Sequence, residues 1–225
     1  MVSYIKTSLK RELKNRFRTW IIFKVVTEVW KEFDFSTNDV IEFGPGLGHL
    51  SHSFSDGIKG GLVIVDFNQE VLDFVLKTFP ETLKPVAHCF DLNHFPVSEF
   101  IDSYDFVIDT HVIEHLASPL EHLEDVYSVL KPGGFCFLST PNLSSLNALR
   151  DGESWVGYAD PTHVSLLTFK QLFELVGECG FEIIHSGTSI SSVREAVQMG
   201  AVKELIFNSS CAGDGMNFLI RRPLS

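Results

Sequence analysis

From residue 39 onward, short apolar runs alternate with helical patterns, and this alternation leaves few folds open. A strand that recurs after each helix is reached by a crossover, and the helices that make the crossovers cover the sheet they connect. The expected class is therefore α/β, a doubly wound and mostly parallel sheet with helices on both faces. The expected strands are Val40 to Phe43, Leu62 to Val65, Pro85 to Phe90, Asp105 to Ile108 and Phe135 to Leu138. Between the fourth and fifth lies the clearest helix. Ser118 can cap it, Pro119 suits its first position and Glu121 completes a capping box. Leu120, Leu123, Val126, Tyr127 and Leu130 then form an apolar stripe, and Pro132-Gly133-Gly134 is expected to stop the helix. Thr168 to Cys179 reads as a second helix ending at Gly180, followed by strands from Phe181 and over Met216 to Ile220. Residues 1–33 and 192–207 read as helical additions.

With 225 residues, 44% of them hydrophobic and 20 of them Phe, the chain has enough apolar material for one large packed unit and too little length for a tandem. Its net charge of −11 is uneven. Residues 1–31 hold 8 Lys and Arg against 2 Asp and Glu, which leaves 10 against 27 in the remainder. So acidic a body repels phosphate backbones, and a nucleic-acid partner is not expected. Four widely spaced Cys, at 89, 136, 179 and 211, give no C-x-x-C pair and no disulfide framework. Trp20 to Trp30 is interrupted by Lys24 and Glu28, so no membrane span is expected. Met1 to Lys10 lacks the apolar run of a signal peptide, and a cytoplasmic protein is the expectation.

The strongest local signal is Glu42-Phe43-Gly44-Pro45-Gly46-Leu47-Gly48, directly after an apolar strand. Glycines there let the backbone turn tightly and approach a ligand that a side chain would exclude. A dinucleotide fingerprint would place its third Gly at position 49, where this chain has His49, and Pro45 removes an amide that would face a phosphate. Asp66 ends the second strand, 18 residues beyond Gly48, where a carboxylate can accept from both hydroxyls of a ribose. Asn68 fills the helix-capping role that Asp66 would otherwise serve. Asp91, after the third strand, is either a solvated turn residue or an acceptor for an adenine amino group, with Phe67 and Leu92 flanking the ring.

In this order and spacing the chain resembles the class I S-adenosylmethionine-dependent methyltransferases. The resemblance rests on Val40 to Gly48, Asp66, Asp91, Tyr104 to Ile108 leading to Val112-Ile113-Glu114-His115-Leu116, and Leu130-Lys131-Pro132-Gly133-Gly134. Tyr158 to Phe181 is similar to the subgroup related to quinone-biosynthesis enzymes, and Ser139-Thr140-Pro141-Asn142 to methyltransferases of glycan assembly. The resemblance implies a Rossmann-like seven-stranded sheet of order 3-2-1-4-5-7-6 with strand 7 antiparallel, and S-adenosylmethionine as cofactor. It implies that Glu42, Gly44 and Gly46 contact the methionine end, Asp66 the ribose and Asp91 the adenine. Thr110 and His111 would line the methyl-transfer site. On this reading residues 1–38 form an N-terminal cap and 39–225 the methyltransferase domain, with 141–167 and 192–207 as additions on the acceptor side.

Methyl transfer from a sulfonium is an in-line displacement that needs alignment and at most one base, and no metal is expected. His111 and His115 lie i, i+4 with Glu114 between them, yet they do not form the H-E-x-x-H order of a metalloprotease helix. The expected acceptor is a small molecule, methylated on oxygen and walled by Trp20, Trp30, Trp155 and Tyr158. A sugar or glycan precursor is the alternative acceptor. A non-catalytic, cofactor-binding interaction subunit is the rival from another class. His163 is the first candidate base, with Asp160 to hold its ring in one tautomer, and His111 is the second.

Overall fold

A computed structural model describes residues 39–55, 60–81, 84–155, 157–189 and 212–224. The cap at 1–38, with Trp20 and Trp30, and the insert at 192–207 lie outside the described residues. Seven strands, β1 (Val40–Phe43), β2 (Leu62–Asp66), β3 (Val86–Cys89), β4 (Tyr104–Thr110), β5 (Leu130–Pro141), β6 (Glu182–Ser189) and β7 (Gly215–Arg221), form one sheet. Its order is β3-β2-β1-β4-β5-β7-β6. β1 to β5 pair in parallel, and β7 runs antiparallel to both β5 and β6. This is the topology that the resemblance implies.

Burial explains which strands are central. All four residues of β1 are buried, so both faces of that strand are covered, as a parallel interior strand requires. Ile41, Phe43, Val107 and Leu138 share a core with Leu123, Val126 and Val129 of one helix and Leu172 and Val176 of another. The alternate positions Val40, Phe106, Ile108 and Phe137 are equally buried. β3, at the edge, has no fully buried residue. The helices are α1 (His49–Ser55), α2 (Gln69–Thr78), α3 (Pro119–Val129), α4 (Leu146–Asp151) and α5 (Phe169–Glu178).

Three local expectations are corrected. β5 begins at Leu130 rather than Phe135: Leu130 pairs with Tyr104, the register then shifts, and Phe135 pairs with Phe106. Pro132-Gly133-Gly134 therefore forms an irregular strand entry, not a helix stop. Gly133 has φ +83 and its N–H donates to Arg222, while Arg222 N–H donates back to Gly134. The buried face of α3 is His122, Leu123, Val126 and Val129, because Tyr127 turns aside to meet the Phe181 ring at 5.1 Å. Ser118 does cap α3, accepting from Glu121 N at 3.4 Å, but the reciprocal capping box is found at Thr168 and Gln171 of α5.

Candidate active site

Register gathers the expected residues along one edge of the sheet. Phe43 lies beside Val65 and Asp109, so Gly44, Asp66 and Thr110 follow together where β1, β2 and β4 end. Asp66 lies beside Cys89, which brings Asp91 to the same edge, and Thr110 lies beside Ser139. A crevice at the carboxyl ends of parallel strands, where the sheet order reverses, is the usual ligand position in such folds.

The glycine loop is built for close approach. Gly44, Gly46 and Gly48 all have φ between +54 and +74, a region costly for any residue with a Cβ. A Cβ at Gly44 would stand 2.7 Å from Val112 Cγ2, and one at Gly48 2.9 Å from Val75 Cγ1. A Cβ at Gly46 would meet nothing within 4 Å among the described residues. Two glycines thus seat the loop on the protein, and the third presents bare backbone to open space.

Glu42 is 1% exposed, and its carboxylate accepts from the Ser51 hydroxyl of α1. Burial pushes the Glu42 carboxyl up to about 7, against the opposing pull of Ser51. Asp66 is also raised, mainly by burial, while its Oδ1 accepts from Asn68 N at 2.8 Å. Asn68 itself caps α2, accepting from Glu70 N, which leaves Asp66 outside that role. Phe67, directly after Asp66 at the end of β2, is 76% exposed. Asp91 accepts from Asn93 N and Nδ2, and those bonds hold its carboxyl below the usual range. Asp91 and Leu92 also line a cavity of about 740 Å³, shared with His115, Leu116, Ala117 and Val164.

Beyond Thr110 the backbone turns through His111, whose φ is +59, and His111 N donates to Ser139 O at 2.7 Å. Its Nδ1 lies 2.9 Å from Glu114 Oε1. Glu114 is wholly buried, and its Oε2 accepts from Thr140 Oγ1 at 2.8 Å. Burial alone would raise this carboxyl, but the hydrogen bond and charge of His111, helped by Thr140, hold it below its ordinary value.

His163 lies in the connection between β5 and α5, and its Nδ1 is 2.6 Å from the Gly157 carbonyl. Asp160 does not orient the ring as expected. Its Oδ2 stands 4.0 Å from Nε2, beyond hydrogen-bond reach, because Oδ1 is engaged by Thr162 N and Oγ1. Glu114, His115 and His163 each offer a ligand-type atom within 4.8 Å of the others. Glu114 Oε1 already has His111 Nδ1 at 2.9 Å, and Oε2 accepts from Thr140 Oγ1 at 2.8 Å. Trp155 is buried edge-on against Tyr158, and a Cβ at Gly157 would collide with its ring. Leu146, Leu149 and Tyr158 are exposed near it in sequence.

Three polar contacts escaped the sequence reading: Ser51 on Glu42, Thr140 on Glu114, and a buried pair of His122 Nε2 and Asp109 Oδ2 at 2.6 Å. The last left a signal, since helical spacing puts a histidine on the buried face of α3.

Residues 13–186 match a family model described as a methyltransferase domain. The chain belongs to this methyltransferase family. It is 28% identical, over 64% of its length, to a "probable S-adenosylmethionine-dependent methyltransferase" of Mycolicibacterium smegmatis, covering 52% of that protein. It is 29% identical over 38% of its length to a ubiquinone biosynthesis O-methyltransferase of Ruegeria pomeroyi, covering 37% of that protein. The chain thus spans about half or less of these curated relatives. A solved S-adenosylmethionine-dependent methyltransferase from Mesorhizobium loti superposes with TM-score 0.64 at 15% identity, covering 83% of this chain and 92% of that one, which supports the shared fold.

The residues fit the cofactor of this methyltransferase family. Gly46 has open space among the described residues where a side chain would stand, and Asp66 offers a carboxyl two strands away from Thr110 at the same end of the sheet.

Proposed function

We propose that the protein transfers a methyl group from S-adenosylmethionine to a hydroxyl oxygen of a small-molecule acceptor. The observation that carries this reading is the joint placement of Gly46, Asp66 and His111 along one edge of the sheet. Gly44 and Gly46, with Glu42 beneath them, would hold the methionine end. Asp66 would accept from the ribose hydroxyls, and Phe67, Asp91 and Leu92 would bound the adenine. Thr110 would line the path of the methyl group. The cofactor supplies an electrophilic methyl on a positively charged sulfur. The acceptor oxygen would gain that methyl group, the sulfur would keep the bonding electron pair, and the hydroxyl proton would pass to a base of this chain.

Of the two candidate bases, His111 is the stronger, because it follows Thr110 directly and is held by a buried carboxylate. His163 is held through Nδ1 by a main-chain carbonyl, and Asp160 Oδ2 stands 4.0 Å from its Nε2, a longer contact than the 2.9 Å between His111 and Glu114. The hydroxyl acceptor is supported by the O-methyltransferase among the relatives.

Calorimetric titration with S-adenosylmethionine tests the reading. One site per chain is expected, and Asp66→Ala should weaken binding about 10- to 100-fold, the scale of a lost charged acceptor. No binding by the wild type, or equal binding by the variant, would overturn it. Radiolabelled methyl transfer to a panel of phenols, hydroxylated acids and sugars then identifies the acceptor.

A further inference from the structure

We infer that Glu114 is a positioning residue, whose buried carboxylate fixes His111 in the tautomer that carries its hydrogen on Nδ1 and turns the Nε2 lone pair to the acceptor hydroxyl. The inference rests on the methyl-transfer reading above for its purpose, but not for its chemistry. An ionised carboxylate only accepts hydrogen bonds, so an imidazole nitrogen 2.9 Å from Glu114 Oε1 must be the one that carries hydrogen. The opposite tautomer would set a nitrogen lone pair against an oxygen lone pair.

Glu114 has no freedom to swing away. Its Oε2 is clamped by Thr140 Oγ1 at 2.8 Å, and its side chain is wholly buried. Its own carbonyl accepts from Val164 N at 2.9 Å and Ser165 N at 3.0 Å. The His111 backbone is equally fixed, since φ +59 in a residue with a Cβ costs on the order of 1 kcal/mol or more and persists only where surrounding bonds demand it. The bond from His111 N to Ser139 O supplies one such demand. With Nδ1 occupied, the ring keeps a 36% exposed side chain as its open part. When the hydroxyl proton arrives at Nε2 the ring becomes an imidazolium, and the Glu114 carboxylate lies in contact with the new charge. Removing the analogous carboxylate charge from a histidine base misplaces the tautomer and lowers turnover by about 10⁴-fold where it has been measured.

The test is a long-range ¹H–¹⁵N correlation spectrum of the full chain, with His111 assigned from His111→Gln. In the wild type at high pH His111 should show a single tautomer with hydrogen on Nδ1. Glu114→Gln, whose carboxamide can donate as well as accept, should give a mixture. Thr140→Val, a milder change, should give partial mixing at a smaller loss of melting temperature. A wild-type ring with hydrogen on Nε2, or variants that lose stability while the tautomer stays pure, would overturn the assignment. On an acceptor found by screening, Glu114→Gln should lower kcat by about 10³-fold or more with cofactor affinity unchanged. An unchanged kcat would also overturn it. Failure of the methyl-transfer reading itself would be recognised separately, by absence of cofactor binding to the wild type.

Discussion

Glu42 stands between folding and function, and its titration is measurable. Its folded carboxyl sits at about 7, above the 4.5 of an exposed glutamic acid, because the neutral form is the one that burial favours. A raised carboxyl binds its proton more tightly in the folded state. Stability is therefore undiminished below about pH 4.5 and falls as pH rises through 7, by about 3 kcal/mol for this group. Glu42→Gln keeps the shape without the charge, so the variant should gain on the wild type between pH 5 and pH 8. Urea unfolding at the two pH values checks the sign, and a wild type that gains on the variant as pH rises refutes the account. At this scale the sequence was legible where a residue announces itself by pattern, as Gly44, Gly46 and Asp66 do. It was silent where the partner is distant: Ser51 lies 9 residues from Glu42, and Thr140 lies 26 from Glu114. No periodicity encodes such pairings, because they depend on which strand ends lie side by side.

Among the elements, α3 and β4 are joined by the pair of His122 and Asp109, both within 2% of full burial. Asp109 Oδ1 and His122 Nδ1 have no further partner among the described residues, so the pair relies on its one short bond. His122→Leu would leave the buried Asp109 carboxyl without its partner in the strand that ends at Thr110. It should cost about 3–5 kcal/mol in chemical denaturation, whereas the double variant Asp109→Leu/His122→Leu should recover much of the loss. A single variant within 1 kcal/mol of the wild type would show that the pair is not held as described. Element existence was readable from alternation, and the five expected core strands were found. Boundaries were less so: the start of β5 at Leu130 depends on pairing with Tyr104, which a Pro-Gly-Gly string does not reveal. The same holds for His163, whose partner is a main-chain carbonyl that no side-chain pattern predicts.

For the molecule as a whole, a cofactor that binds the folded state and not the unfolded chain must raise its stability by mass action. S-adenosylmethionine at a hundred times its dissociation constant should add about 2.7 kcal/mol, which in a chain of 225 residues raises the melting temperature by roughly 5–10 °C. Scanning fluorimetry with and without cofactor checks this, and no shift at saturating ligand would count against binding. The topology was readable only as a family likeness, because nothing in apolar alternation says that a later strand returns between two earlier ones. That return has a consequence for how the chain is made. Among the described residues β6 pairs with β7 alone, and β7 is the strand that links it to β5. A polypeptide in synthesis completes β6 before β7, its partner among the described residues, while β1 to β5 can already assemble in parallel. During that interval β5 and β6 both offer unpaired edges. Released chains truncated between residues 190 and 214 should therefore be the ones most prone to self-association and to capture by chaperones.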